Sequence, residues 1–463
     1  MITIPQLYNI YLQHPVVCTD TRAIKSDCLF FALKGDRFDA NEFAKQAIES
    51  GAAFAIIDNP AYKLNDQFLL VPDALTALQD LARYHRKQIT IPVIGLTGSN
   101  GKTTTKELIY AVLSEQFNTL ATKGNLNNHI GVPLTILNIN SKHEIAVIEM
   151  GANHQKEIAF LCSICMPTHG LITNVGKAHL EGFGGVEGVK IGKGELYDYL
   201  GSREGGKAGS PEDLELNAKE GNSRIFDSVV FVNSNSLDLM KMQADRGLTN
   251  TIFYGHNFKG NLVNGWLIEN SPFLSVEWVN VPANKTYQVK TQLTGAYNLD
   301  NILAAISIGI TFGLTDEAIN KGIASYAPQN NRSQILHTLT NTVICDYYNA
   351  NPSSMQVAIE NIAKIDGKHK VLILGDMFEM GEEAAHEHLT IAKKAIEVQA
   401  DLVVFIGKEF HTIREGFQNP KGFLFFEITE EAIGYLRANP INNATILIKG
   451  SRGMTLEKLI PFV

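Results

Sequence analysis

Short apolar runs alternate along the chain with longer stretches in which apolar residues recur every three or four positions. The short runs are rich in Val and Ile and predict buried β-strands, whereas the longer spacing predicts helices with one apolar face. Strands that alternate with helices are typical of parallel sheets covered by helices. The pattern therefore predicts an α/β protein, and a length of 463 residues suffices for about three domains.

The same pattern divides the chain into three predicted units, called here the first, central and third units. They span residues 1–88, 89–327 and 328–463, and each is expected to be an α/β domain. The third unit is predicted to hold a parallel, Rossmann-like sheet. Residues 201–223 have no large apolar side chains apart from two leucines, which predicts a flexible surface insertion in the central unit.

The individual elements follow from the periodicity. Asp73 precedes one periodic stretch and is the expected N-cap of that helix. A β pattern extends from residue 251 to residue 293. Predicted helices span 41–50, 73–87, 186–200 and 302–310, and the main predicted strands span 16–18, 28–33, 53–57, 91–94, 145–148, 170–174, 229–232, 371–374, 402–406 and 445–448.

A glycine-containing turn stands between a predicted strand and a helical pattern that begins at residue 106. Glycines let backbone N–H groups approach phosphate oxygens, the helix N-terminus adds partial positive charge, and Lys102 adds a full charge. Thr103 is placed to put its hydroxyl on magnesium. A strict phosphate loop has glycine where Leu96 stands, so the match is to a shortened variant, and a chance Gly-Lys-Thr sequence is the alternative. The turn predicts binding of a nucleoside triphosphate with Mg²⁺ through Gly98, Ser99, Asn100, Gly101, Lys102, Thr103 and Thr104.

Other polar residues lie near strand ends. Glu149 directly follows the strand 145–148, where a magnesium ligand beside a phosphate loop is expected. His179 lies past the strand 170–174 on the same rim of the sheet, and a loop histidine satisfied by the backbone is the alternative. Arg22 on a turn of the first unit could bind phosphate or carboxylate, or be a solvated surface arginine.

Composition narrows the possible partners. A net charge of −8 and a pI near 5.9 argue against general nucleic-acid binding. The N-terminal residues lack a signal-peptide pattern and no run approaches the roughly 18 apolar residues of a membrane span, so we expect no membrane insertion. Five scattered cysteines favour a reducing cytoplasm, and the pair Cys162 and Cys165 is expected to be buried thiols and not a metal site.

Several motifs, taken in order, resemble the ATP-dependent Mur ligases of bacterial cell-wall synthesis. The resemblance covers nearly the whole chain apart from residues 201–223, and its last motifs are similar to the branch of the family that adds a dipeptide. The motifs occupy residues 97–104, 124–133, 149–151, 174–181, 298–301, 346–355, 374–381 and 449–454, together with Arg332.

The resemblance implies a reaction in two steps. A carboxylate of UDP-N-acetylmuramoyl-tripeptide attacks the γ-phosphate of ATP, and the amine of D-Ala-D-Ala then attacks the acyl phosphate. It implies catalytic roles for Lys102, Glu149, His179 and Lys193, and two Mg²⁺ ions on Thr103, Glu149, His179 and Lys193. An unmodified Lys193 would repel Mg²⁺, so the resemblance implies that this lysine is carbamylated; an unmodified lysine that binds phosphate is the alternative.

The resemblance also implies the substrate contacts of a monomer whose third unit closes over the central one. A sister amino-acid-adding ligase or a folylpolyglutamate synthase is one alternative, and a phosphate-loop kinase or nucleotide-binding regulatory module is another. The implied residues are Asn298, Asn301, Arg332 and Asp346 for ATP, Thr21, Arg22, Asn127 and Asn128 for the UDP substrate that the first unit binds, and Asn349, Asn351, Ser451 and Arg452 for the dipeptide.

Overall fold

The computed structural model describes residues 1–35, 38–203, 228–365, 369–414 and 422–463. Three large sheets follow one another along the chain, one within each predicted unit. The inner strands of the sheets are almost entirely buried, as expected for strands covered on both faces, whereas edge strands such as Lys285–Lys290 and Gln334–His337 are partly exposed. The fold is α/β, as predicted; the residue limits of the three domains stay a prediction.

The first unit contains a four-stranded parallel sheet in the order β1-β2-β5-β6 and a small β3-β4 hairpin. Asp73 caps the third helix, because its Oδ1 accepts a hydrogen bond of 2.7 Å from Thr76 N, as predicted. The elements are α1 (Ile4–Gln13), β1 (Val17–Cys18), β2 (Leu29–Phe31), β3 (Lys34–Gly35), β4 (Phe38–Asp39), α2 (Ala44–Glu49), β5 (Phe54–Ile57), β6 (Phe68–Leu70) and α3 (Ala74–Lys87).

The central unit contains a nine-stranded sheet in the order β15-β14-β13-β12-β11-β10-β7-β9-β8. Strands β7 to β13 pair in parallel, whereas β13, β14 and β15 form an antiparallel meander. The elements are β7 (Val93–Thr97), α4 (Lys102–Leu113), β8 (Thr119–Ala121), α5 (Gly131–Ile136), β9 (Ile145–Glu149), α6 (Glu157–Cys165), β10 (His169–Ile172), α7 (Leu180–Phe183), α8 (Val186–Gly201), β11 (Val229–Asn233), α9 (Leu237–Asp245), β12 (Thr251–Gly255), β13 (Asn261–Glu269), β14 (Ser275–Asn280), β15 (Lys285–Lys290), α10 (Asn298–Thr311) and α11 (Asp316–Ser325).

The third unit contains a six-stranded sheet in the order β16-β17-β21-β18-β19-β20. The prediction of a parallel sheet is correct for five strands and wrong for the edge strand β16, which pairs antiparallel with β17 because the chain returns directly through a short turn. The elements are β16 (Gln334–His337), β17 (Thr342–Asp346), α12 (Pro352–Lys364), β18 (Lys370–Gly375), α13 (Ala384–Glu397), β19 (Leu402–Ile406), α14 (Lys408–Ile413), β20 (Phe423–Phe426), α15 (Thr429–Ala438) and β21 (Thr445–Lys449).

Helix α3 fastens the first unit to the central unit. Leu78 and Leu81 of α3 lie in the same apolar core as Ile136 of α5 and Leu161 of α6, and each buried leucine is worth about 1.5–3 kcal/mol. Arg86 adds hydrogen bonds from its guanidinium to the carbonyls at the end of α6, including 2.8 Å to Cys165 O. The two sheets are therefore joined through a shared core.

Two further predictions can be compared with this structure. Cys162 and Cys165 are free and fully buried, and burial raises the pKa of the Cys165 thiol to about 12, so the expectation of buried thiols is confirmed. Of the predicted insertion, Gly201 ends α8, and residues 204–223 lie outside the described residues. None of the helices in the described ranges is both long and apolar enough to cross a membrane.

Candidate active site

The phosphate loop connects β7 to α4 at the carboxyl edge of the central sheet. Gly98 has φ +146° and Gly101 has φ +78°, backbone conformations that favour glycine. A Cβ at Gly98 would collide with Thr173 Oγ1. The Lys102 Nζ folds back onto the loop and donates to the carbonyls of Gly98 at 2.7 Å and Ser99 at 3.2 Å. The loop thus holds the ammonium group where a phosphate would meet it.

The charge state of Lys102 depends on its surroundings. Burial lowers the pKa of this lysine to about 8, the Glu149 carboxylate opposes that shift, and Arg332 adds to it. A bound phosphate would raise the pKa again, because an adjacent negative charge favours the ammonium form.

Residues directly after β10 form hydrogen bonds with the phosphate loop. Asn174 Oδ1 accepts from Asn100 N at 3.0 Å, and the Thr173 hydroxyl donates to Asn100 O at 2.6 Å. Ser99 N donates to Asn174 O at 3.0 Å. Because β7 and β10 are neighbours in the sheet, these side chains fix the loop from the strand beside it.

Glu149 ends β9 on the other side of β7 and is fully buried. Its carboxylate accepts from Thr103 Oγ1 at 2.9 Å and from Asn127 Nδ2 at 2.8 Å. Both hydrogen-bond partners are neutral, and the nearby charge that offsets the burial of the carboxylate is the ammonium of Lys102, whose pKa Glu149 raises. The oxygens of Thr103 and Glu149 are ligands that Mg²⁺ prefers, so this part of the site fits the ion.

Thr103 and Glu149 place two oxygen donors within 2.9 Å of each other. In the described part of the chain no group of three or more His, Cys, Asp or Glu side chains converges to hold a metal ion. Magnesium usually retains water and takes phosphate oxygens in sites of this kind.

His179 directly precedes α7 and lines a large cavity between the central and third units. Its Nδ1 pairs with Glu379 Oε2, which comes from the loop after β18 in the third unit. Burial lowers the pKa of this imidazole, and the Glu379 charge partly opposes the shift. A carboxylate on one ring nitrogen orients the other, an arrangement common in metal-ligating histidines. Glu379 lies within the motif at residues 374–381 and was not among the predicted site residues.

Lys193 is 1% exposed on α8, and its Nζ donates to Ala152 O at 3.0 Å. The Nζ also lies 4.9 Å from the centre of the Phe183 ring. Burial lowers the pKa of Lys193 well below its ordinary value, and the positive charge of Lys102 lowers it further. Ala152 lines the cavity whereas Lys193 lies behind that wall.

Asn298 and Asn301, the two asparagines of α10 predicted to contact ATP, both line the cavity. Asn301 accepts from Thr105 Oγ1 at 2.9 Å and donates to Asn298 Oδ1 at 2.9 Å. Asn298 donates in turn to Thr294 O at 2.8 Å. The pair therefore ties α10 to α4 directly behind the phosphate loop.

Two predicted nucleotide residues come from the third unit. Asp346 at the end of β17 accepts 2.7 Å from Lys449 Nζ and 3.0 Å from Ser333 N. Lys449 is 2% exposed and was not predicted as a site residue. The Arg332 guanidinium lies 3.9 Å from the centre of the Tyr348 ring. Its Nε is buried without a hydrogen-bond partner among the described residues, as expected for a donor that awaits an anion.

The residues predicted for the dipeptide are divided in position. Asn349 and Asn351 line the cavity, and Asn351 joins the units through a hydrogen bond of 2.8 Å from its Nδ2 to Asn100 Oδ1. Ser451 is buried and its Oγ accepts from Phe378 N at 2.9 Å. Ser451 and Arg452 are outside the cavity lining.

The residues predicted for the UDP substrate are divided as well. Asn127 and Asn128 line the cavity, whereas Thr21 and Arg22 do not. Asn128 Oδ1 accepts from Gly131 N at 2.9 Å at the start of α5. The Arg22 side chain is 89% exposed and pairs with Asp20 at 2.7 Å. The structure thus does not bring Thr21 and Arg22 together with the phosphate loop.

That cavity has a volume of about 1150 Å³ and gathers most of the predicted residues, although Gly98, Thr103 and Lys193 are not part of its lining. Its walls carry donors and cations from both units, which suits a ligand with several negative charges. The predicted residues on its surface are Ser99, Asn100, Gly101, Lys102, Thr104, Asn127, Asn128, Glu149, His179, Asn298, Asn301, Arg332, Asp346, Asn349 and Asn351.

Comparison with known protein families gives two matches. Residues 96–209 match the Mur ligase middle domain, and residues 331–452 match the Mur ligase glutamate ligase domain. The UDP-N-acetylmuramoyl-tripeptide–D-alanyl-D-alanine ligase of Escherichia coli K12 is 34% identical over 96% of this chain and 92% of its own length. The enzyme of that name from Bacillus subtilis 168 is also 34% identical, over the same shares.

Solved structures agree with these matches. A crystal structure of MurF from Acinetobacter baumannii has a TM-score of 0.81 at 30% identity, covering 96% of this chain and 92% of that one. MurF ligase from Thermotoga maritima, in complex with ADP, has a TM-score of 0.79 at 27% identity, covering 97% of each chain. This chain belongs to the Mur ligase family and, within it, to the UDP-N-acetylmuramoyl-tripeptide–D-alanyl-D-alanine ligases.

Proposed function

We propose that this protein uses ATP to join D-Ala-D-Ala to UDP-N-acetylmuramoyl-tripeptide, with an acyl phosphate as the intermediate and ADP and phosphate as products. The observation that carries the proposal is the cavity in which the phosphate loop, Glu149 and His179 of the central unit face Arg332 and Asp346 of the third. The choice of substrates is supported by the names of the relatives, which are similar to this chain over nearly its whole length.

The first step must bring a carboxylate anion to a triphosphate. Lys102 and the loop amides would bind the phosphates, and Arg332 would place its free Nε toward the charge that develops in transfer. A magnesium ion on Thr103 and Glu149 would supply further charge neutralisation. Lys102, Glu149 and Arg332 all line the cavity, which supports these roles.

The second metal position rests on His179 and a modified Lys193. Carbon dioxide adds to an uncharged amine, forms an N–C bond and releases a proton, which turns the lysine into a carboxylate-like oxygen ligand. The low pKa of the buried Lys193 favours the uncharged amine that this addition needs. Mass spectrometry of the intact protein in bicarbonate and rescue of Lys193→Ala by short carboxylates test the modification; an unmodified lysine with no rescue would favour direct phosphate binding.

The second step requires the dipeptide amine to reach the acyl phosphate while water stays out. Asn349 and Asn351 are the dipeptide candidates that line the cavity, and closure of the third unit over the central one would exclude water. Asn298 and Asn301 are proposed on the adenine side and Asp346 on the ribose. The first unit, with Thr21 and Arg22, is proposed to bind the UDP substrate. One chain supplies both walls of the cavity, which supports a monomer, and we place the reaction in the cytoplasm.

The experiment measures phosphate release by the purified enzyme with ATP, Mg²⁺ and UDP-N-acetylmuramoyl-tripeptide, with and without D-Ala-D-Ala. Release that needs the dipeptide and yields one new peptide bond per phosphate is the expected result. L-alanine, D-glutamate and L-glutamate serve as matched amine controls. ATP hydrolysis that is indifferent to the dipeptide would contradict the proposal and favour a nucleotide-dependent protein of another kind.

A further inference from the structure

We infer that Lys177 and Glu387 are positioning residues for the ligation, because their ion pair holds the third unit closed over the cavity. The inference rests on the proposed function for its chemistry, although the contact itself is independent of any substrate. Lys177 lies in the loop between β10 and α7, and Glu387 lies on α13. The Nζ to Oε1 distance is 2.7 Å.

Lys177 contacts the third unit at two points. Besides the ion pair, its backbone N–H donates to Ser353 Oγ at 3.2 Å in the first turn of α12. One residue of the central unit thus contacts both helices that face it. A third contact follows two positions later, where His179 pairs with Glu379. The loop 176–179 is therefore one region of contact between the central and third units, beside the bond from Asn351 to Asn100.

The burial of Glu387 gives the pair its strength. The Glu387 side chain is 5% exposed whereas that of Lys177 is 50% exposed. A carboxylate withdrawn from water is costly unless a cation pairs with it, and removal of one partner from such a pair leaves that cost uncompensated. The ion pair offsets the cost of burying the Glu387 carboxylate only when the two units are in contact, because Lys177 belongs to the central unit and Glu387 to the third.

The same loop is bonded to the phosphate loop. Gly176 N donates to Ser99 Oγ at 3.0 Å, and Ser99 Oγ donates to Gly176 O at 3.2 Å. A shift of Lys177 would therefore move both the phosphate loop beside Gly176 and the imidazole of His179. The pair keeps the phosphate loop and the His179 imidazole aligned, and it keeps water out of the cavity until the amine attacks the acyl phosphate.

The test compares Lys177→Ala, Glu387→Gln and the reversed pair Lys177→Glu with Glu387→Lys. Lys321→Ala is the matched control, because Lys321 also pairs with a largely buried carboxylate, Glu115 at 2.6 Å, but within the central unit. The first readout is phosphate released per peptide bond formed at saturating substrates. The second is the distance between fluorophores placed on the two units, measured with and without ADP.

Each single variant is expected to form peptide bonds at least about tenfold more slowly. It should also release more than one phosphate per bond, because water then competes for the acyl phosphate. The reversed pair should return the ratio toward one, and the control should keep it at one. The ADP-dependent shortening of the distance should be lost in the singles only, with KM for ATP changed less than the rate.

Single variants that match Lys321→Ala in both readouts would overturn the inference. So would singles that lose activity while the ratio stays at one and the reversed pair gives no rescue, since that is the pattern of general destabilisation. If the wild-type enzyme closed on ADP but formed no peptide bond, the proposed function would fail. The distance measurement would still decide the role of Lys177 and Glu387.

Discussion

Asn127 was expected to bind the UDP substrate, and the structure gives it a contact with a different consequence. Its Nδ2 donates 2.8 Å to Glu149 Oε1, so the side chain orients a carboxylate proposed as a magnesium ligand. Asn127→Ala removes this contact and leaves the Thr103 hydroxyl as the remaining described side-chain donor to Glu149. The variant should therefore alter the response of the enzyme to Mg²⁺.

The magnitude follows from the kind of hydrogen bond. A hydrogen bond to a charged group is worth about 1.5–3 kcal/mol. Loss of a partner that orients a metal ligand typically lowers metal affinity or activity by about 10–100-fold. We expect the Mg²⁺ concentration for half-maximal activity to rise by at least about tenfold, whereas KM for the UDP substrate at saturating Mg²⁺ changes little.

The assay titrates Mg²⁺ at fixed ATP, tripeptide substrate and dipeptide, and follows phosphate release. Asn128→Ala is the control, because Asn128 lies next in the loop and its Oδ1 accepts from Ile130 N and Gly131 N at the start of α5 without bonding to Glu149. That control should lose about 1 kcal/mol of stability and keep the Mg²⁺ dependence of the wild type. An Asn127→Ala enzyme with an unchanged Mg²⁺ titration and a raised KM for the UDP substrate would refute the reasoning.

Three further predictions concern the phosphate loop and the core. Nucleotide affinity should fall as the pH rises through about 8, because Lys102 loses its proton there; calorimetric titration of ADP at pH 7 and 9 checks this, and a pH-independent affinity would contradict it. Gly98→Ala should abolish ADP binding because its Cβ meets Thr173, whereas Gly124→Ala, with φ +56° and open space, should bind ADP after losing about 1–2 kcal/mol of stability. Burial lowers the pKa of His169 to about 4, so the unfolded chain binds more protons between about pH 4 and 6.5, and the free energy of unfolding decreases as the pH is lowered through that window. Urea unfolding of the wild type and of His169→Gln at pH 7 and pH 5 measures this decrease. An equal loss of stability in the two proteins would contradict the assignment.

The sequence predicts best those features that depend on neighbours along the chain. The apolar runs at 145–148 and 402–406 became strands because a continuous run of β-branched and aromatic residues can be buried on both faces. The phosphate loop was predictable for the same reason, since the glycines, Lys102 and Thr103 act within one turn. The cap at Asp73 is equally local.

Features that join distant parts of the chain were not predictable in this way. Nothing near Asp346 in the sequence indicates that Lys449 will neutralise it, or that Glu379 will meet His179. Asn127 shows the same limit, because its position on a polar loop indicates a hydrogen-bonding role without naming the partner. The edge strand β16 escaped prediction for a local reason, because its residues are only partly buried and form no continuous apolar run.

The sequence by itself determined the α/β class, the phosphate loop and the kind of chemistry, because periodicity and short motifs are properties of neighbouring residues. Only the tertiary structure decided which side chains complete the site. Lys177 contacts Glu387, and Asn351 contacts Asn100. Both contacts form because the sheets of the central and third units, which come from separate parts of the sequence, face the same cavity with their carboxyl edges. Those contacts are fixed by the packing of whole units, and a one-dimensional pattern carries no record of that packing.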